Sequence, residues 1–200
     1  MRVIKPITVT DTKFISSTTP EPDASVGEIE WVAGSYNTGD RRIKSSTHRI
    51  YEVTADPSTT DDPEVGVLKD PPSWVDVAPT NKWALFDTVN STQSTEASQL
   101  IIEVKPNVAF TSVAGFNITG ATLINITVTD PTDGEVYNKD IEMIDNSEVV
   151  DAYSYFFSPF SIINEFALID LPPYRQATIK ITVDGVNIGF GSLVIGNQIE

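Results

Sequence analysis

Apolar residues in this 200-residue chain recur at every second position. Ile124, Ile126 and Val128 alternate with Asn125, Thr127 and Thr129, and Ile179, Ile181 and Val183 alternate with Lys180, Thr182 and Asp184. A period of two puts one set of side chains on each face of an extended strand, whereas a helix would scatter them around its axis. Ile7 and Val9 repeat the pattern behind Pro6, which cannot donate to a ladder and so marks a strand start or an edge. Shorter β segments are expected at 100–104, 112–118, 166–171 and 192–195. Asp133-Gly134 and Asp184-Gly185 lie between apolar runs and predict tight hairpins, because both residue types tolerate the positive φ of such turns. Gly189 and Gly191 predict a bend near the end. Helical periodicity is nearly absent. The best helix candidate is a turn or two over 81–89, where Trp83, Phe86 and Asp87 share a face. The chain therefore reads as all-β.

Charge and residue usage remove several function classes. Thirteen Lys and Arg stand against 28 Asp and Glu, a formal charge of −15, which repels phosphate backbones and anionic lipid. Nucleic acid is not expected as a partner. Without cysteine there can be no disulfide, thiolate nucleophile or Cys-ligated metal. No apolar run approaches the roughly 20 residues that cross a bilayer, so membrane insertion is not expected. The first residues lack the apolar stretch of a signal peptide, and no export by that route is expected.

Composition also divides the chain. Between Thr54 and Thr80, Pro57, Pro63, Pro71, Pro72 and Pro79 interrupt an acidic stretch, which predicts a long surface excursion. A second polar stretch covers Ser16–Glu30. The expected organisation is an N-terminal strand and connector (1–29), a small aromatic β module (30–87) and an antiparallel β-sandwich of jelly-roll type (88–200).

Catalytic signatures are missing. His48 is the single histidine, has no second ligand or nucleophile at a useful spacing, and reads as a solvent-facing strand or hairpin residue. No nucleophile elbow, phosphate loop or dinucleotide fingerprint occurs. Asp130–Glu135 lacks the alternating acids of a calcium loop and reads as a hairpin turn. No cofactor, metal or catalytic residue is expected. Aromatic residues are the better lead: Trp31, Tyr36, Tyr51 and Trp74, with Trp83 and Phe86, crowd into one third of the chain. They fit either the interior of a small module or a platform on which sugar rings stack. Exposure separates the two. A second group, Tyr153, Tyr155, Phe156, Phe157, Phe160 and Phe166, is expected in the sandwich core.

Trp31, the run Tyr36-Asn37-Thr38-Gly39-Asp40-Arg41, Tyr51-Glu52-Val53 and Trp74 resemble the pattern of small chitin-binding-type carbohydrate-binding modules. The continuation Asn81-Lys82-Trp83-Ala84-Leu85-Phe86-Asp87, with Leu171-Pro172-Pro173-Tyr174 and Gly191-Ser192-Leu193-Val194-Ile195-Gly196, is similar to structural proteins of tailed bacteriophages. That second resemblance spans most of 28–196. It implies a virion component of the tail, baseplate or collar that works without catalysis, assembled in the host cytoplasm, with other virion proteins and copies of itself as partners. Strand addition by the terminal segments, through Val3, Ile4, Ile7 and Val9 or Leu193, Val194 and Ile195, is the expected mode of assembly. The alternative is a host-receptor protein whose rings at Trp31, Tyr36, Tyr51 and Trp74 hold a cell-surface glycan.

Overall fold

The computed structural model describes residues 3–145, 151 and 161–199. Fifteen strands are assigned among them: β1 Val3–Pro6, β2 Phe14–Ser17, β3 Tyr36–Asn37, β4 Arg41–Lys44, β5 Arg49–Val53, β6 Ser58–Thr59, β7 Trp74–Pro79, β8 Ser94–Glu96, β9 Gln99–Val104, β10 Ser112–Asp130, β11 Gly134–Glu142, β12 Ile144–Asp145, β13 Ser161–Ile162, β14 Phe166–Leu168 and β15 Thr178–Ile199. Among the described residues helix is limited to α1 (Pro63–Gly66) and two 3-10 turns. The fold is all-β, and no described helix is long and apolar enough to cross a membrane.

Two strands of unusual length organise the sandwich. β10 and β15 pair antiparallel from Ser112↔Gly196 to Thr129↔Thr178, with register shifts around Ala121. Before the shift β10 also carries β14, and after it β11. β15 carries β9 along its first half, β8 near Gly189 and β1 at its end. Both halves contribute to one aliphatic core: Ile124, Ile126, Val128, Ile179, Ile181 and Val183 from one, Val113, Phe190, Leu193 and Ile195 from the other. The register shifts mark where the two backbones approach most closely. There Gly120 has φ +69, and a Cβ on it would lie 2.4 Å from the Val186 carbonyl, so only glycine lets the two backbones meet.

The small module is a three-stranded meander, β4-β5-β7, with the β3–β6 pair beside it. Trp74 is fully buried at its centre among Tyr36, Tyr51 and Val53. α1 closes over it, and a Cβ on Gly66 would come within 2.3 Å of the indole. Asp62 starts this short helix by accepting the Glu64 amide at 2.9 Å, with Pro63 at its first position.

Several expectations are corrected. The 54–80 stretch is no bare excursion: it supplies β6, α1 and β7, because its prolines sit at element ends while the backbone between them remains free to pair. Asp184-Gly185 makes no hairpin, since β15 runs through it with its backbone packed against that of Gly120. Asp133-Gly134 does turn, with Gly134 at φ +77. The helix over 81–89 shortens to one 3-10 turn, Ala84–Phe86. Of the later aromatic group, Phe166 is buried in the sandwich; Tyr153, Tyr155, Phe156, Phe157 and Phe160 lie outside the described residues.

Candidate functional site

The four predicted ring residues come together as module interior. Trp74 donates its indole N–H to the Asp61 carbonyl at 3.0 Å and meets Tyr36 edge-on, centroids 5.6 Å apart. The Tyr36 hydroxyl donates to the Val32 carbonyl at 2.6 Å, and Arg42 lies 4.8 Å over its ring. Tyr51 is buried beside them, with its hydroxyl 2.9 Å from that of Thr47. Trp31 is half-buried, with Lys44 over one face. These rings pack on one another and present no open aromatic platform.

The terminal segments singled out for assembly pair within this chain. Val3 and Ile4 face Ile199 and Gln198, and the Ile7 amide donates to Ile195 at 2.8 Å. Ile7 and Val9 pack against the sandwich core. Leu193, Val194 and Ile195 are held by Gly115, Ala114 and Val113 of β10. β2 lies on β9, so the 1–29 segment provides two strands of the large sheet.

Where module and sandwich meet, buried polar groups and stacked rings form a weld. The Asn81 side chain donates to Asp23 at 2.7 Å and to the Thr95 carbonyl at 3.0 Å, and accepts from the Thr95 amide at 2.7 Å. Its backbone amide donates to Glu28 at 2.6 Å, whose second oxygen accepts the Asp23 amide at 2.7 Å. Burial drives the Asp23 carboxyl upward, but hydrogen bonds from Ser25 and Asn81 outweigh it and hold the group below its usual range. For Glu28 burial wins over the donated amides, and the neighbouring charges of Asp23 and Glu21 push the same way, so its pKa is raised. Both Glu28 oxygens are occupied by backbone amides, which suits a staple better than a proton shuttle.

The other half of the weld is aromatic. His48 turns the β4–β5 hairpin region with φ +57, and its ring stacks on Trp83 with centroids 4.2 Å apart. Trp83 in turn meets Phe14 of β2 at 5.3 Å. The His48 nitrogens contact Asp11 at 2.8 Å and Glu21 at 3.0 Å, and Glu21 also accepts from Thr80 and Trp83. The expected solvent-facing histidine is therefore a half-buried joint between hairpin and connector. Leu85, two residues after Trp83, is buried in the sandwich core. The segment 81–87 thus ties the two parts together.

Beside this weld opens a cleft of about 310 Å³. Arg41, Arg42, Ile43, Ile50, Ala78 and Pro79 line it from the module, Val26, Gly27, Glu28 and Ile29 from the connector, and Asn81, Ala84, Thr92, Gln93 and Thr95 from the sandwich side. The lining mixes the polar residues Arg41, Thr92, Gln93 and Thr95 with the aliphatic Ile29, Ile43, Ile50, Ala78 and Pro79. Its walls come from well-separated segments, so no local spacing could have marked them as one site. Among the described residues no group of three or more His, Asp or Glu is placed to hold a metal ion.

No family model matches the chain, and no curated protein matches it in sequence. Among solved structures it is similar to CpGH89CBM32-6 produced by Clostridium perfringens, at TM-score 0.38 and 8% identity over 57% of this chain and 82% of that one. It is also similar to chitosan-binding module 1 of a chitosanase/glucanase from Paenibacillus sp. IK-5, at TM-score 0.36 and 9% identity over 56% and 81%. A point mutant of that module gives 0.38 and 8% over 57% and 83%. Likeness at this level carries no argument about function.

Proposed function

We propose that this chain is a non-catalytic binding protein that takes up carbohydrate in the cleft beside the weld. The observation that carries the reading is the lining. The polar residues Arg41, Thr92, Gln93 and Thr95 can meet the hydroxyl-rich edge of a sugar, while Ile29, Ile50, Ala78 and Pro79 offer small apolar surface to its faces. The volume lies at the low end of ligand pockets and suits one or two rings. The packed aromatic cluster holds these walls in place without touching ligand. Glycan-array binding of the full chain tests this: saturable binding is expected, and Ala78→Trp, which fills the cleft, is expected to abolish it while the thermal transition persists. Binding that survives Ala78→Trp contradicts the cleft as the site.

A second reading places the same unit in a tailed-phage virion, as the resemblance of 28–196 implies. The specific observation in its favour is the weld itself, because Asn81, Trp83 and Leu85 of the segment that carries the resemblance join the two parts. A spacer needs that fixed geometry. The two readings are compatible in an attachment protein that presents a glycan cleft from a particle, in contact with other virion proteins and its own copies. Mass spectrometry and cross-linking of purified particles check this reading; absence of the chain from mature particles overturns it.

A further inference from the structure

The His48 ring sits between two carboxylates of the 1–29 segment: Nε2 lies 2.8 Å from Asp11 and Nδ1 lies 3.0 Å from Glu21. A neutral imidazole has one N–H and one lone pair, so it donates to only one of them and turns its lone pair on the other. The doubly protonated ring satisfies both. Other cations do not share the task. Lys13 donates to the Thr8 carbonyl at 2.6 Å, Arg49 is paired with Asp76, and Lys82 lies over the Phe14 ring. Among the described residues no other cation contacts Asp11 or Glu21, and Glu28 feels the negative charges of both Asp23 and Glu21.

The two carboxylates differ in what loss of the histidine would cost. The Glu21 side chain is 5% exposed and also accepts from Thr80 and Trp83, whereas that of Asp11 is 72% exposed. A buried carboxylate that loses a donor is left without solvation, while water replaces the donor on an exposed one. Proton loss therefore falls on the Asp11 side. Asp11 lies in the turn at 11–13, where the Lys13 and Phe14 amides close on the Thr10 carbonyl and the chain enters β2.

We infer that His48 is a proton-dependent latch: charged, it ties the 11–13 turn and the connector to the β4–β5 hairpin; neutral, it keeps its Nδ1 proton on Glu21 and lets Asp11 go. The full contact belongs to the acid end of the range in which imidazoles titrate, and it is lost as pH rises towards about 8. His48 is the single histidine, so its ring signals are unambiguous. Nitrogen NMR and amide exchange of the full labelled chain between about pH 5 and 8 test the latch. On raising pH, Nε2 is expected to lose its proton while Nδ1 keeps its own. Exchange of the Lys13 and Phe14 amides, corrected for the intrinsic effect of pH, is expected to quicken about fivefold, the factor that an exposed ion pair of about 1 kcal/mol supplies. Asp11→Asn changes an exposed side chain that can accept from the charged ring and donate to the neutral one. It is expected to remove the pH response of the turn while the ring still titrates. Loss of the Nδ1 proton in place of Nε2, exchange at Lys13 and Phe14 that ignores pH, or an equal response in Asp11→Asn overturns the latch.

Discussion

The sandwich and the module both bury their centres completely, but by different chemistry. In the sandwich, β-branched and other aliphatic side chains repeat along two long strands, and no single residue dominates. The module is too small for that. It gathers three rings and Val53 around Trp74, and a few ion pairs fasten its rim: Lys44 to Asp62 and Glu64, Arg49 to Asp76, Lys69 to Asp61. Burial of Lys44 opposes its charge, yet hydrogen bonds from it to Asp62 and Glu64 prevail and raise its pKa. A distributed core tolerates loss gradually, whereas a core built on one indole does not.

Trp74→Ala is the sharpest way to test that contrast. It removes the fully buried indole and its hydrogen bond to Asp61, with an expected cost of about 3–5 kcal/mol. Amide spectra are expected to show collapse of the module signals while those of the sandwich keep their dispersion. Equal loss in both parts would show a single cooperative unit. Asn81→Ala comes next. It strips partners from the buried Asp23 carboxylate and the Thr95 amide, at about 1–3 kcal/mol for a buried group left unsatisfied. Calorimetry is expected to show the module and sandwich transitions farther apart in the variant than in the parent chain.

Acid should unfold the module before the sandwich. Lys69, then Ser73, donates to Asp61 and holds its carboxyl at about 2 instead of 3.8. The folded state thus binds fewer protons than the unfolded one between those values. That stabilisation is present above the ordinary value and disappears as pH falls through about 2. Asp23, also lowered, acts with the same sign, whereas raised Glu28 acts against it. Asp61→Asn is expected to flatten the acid limb of module stability, read from module amides. The smallest effect belongs to Arg49→Ala, which breaks a partly exposed pair with Asp76. A change within about 1 kcal/mol is expected from chemical denaturation, and a larger one would mean that the rim carries more of the module than its core.

Alternation is a local property: Ile124–Val128 and Ile179–Val183 announce their buried face without any knowledge of partners. Asp133-Gly134 was legible for the same reason. Asp184-Gly185 carries the same signal and forms no hairpin, because the crossing with Gly120 is a long-range contact that local turn chemistry does not encode. The aromatic residues of the module pack together around Trp74. Prolines misdirected the 54–80 reading, since Pro79 ends a strand and Pro63 begins a helix. The cleft was invisible: Arg41, Ala78, Asn81 and Gln93 meet only after β4, β7 and the weld are in place.

The central claim is that ligand enters the cleft between module and sandwich while the aromatic cluster serves as its frame. Residue-resolved amide shifts during titration of the isotope-labelled chain with oligosaccharides test it most directly. Saturable shifts are expected at Arg41, Ala78, Asn81, Gln93 and Thr95, with Trp74 and the β10–β15 core unmoved. Shifts centred on Trp31 and Tyr36, or none at any saccharide concentration, would contradict it.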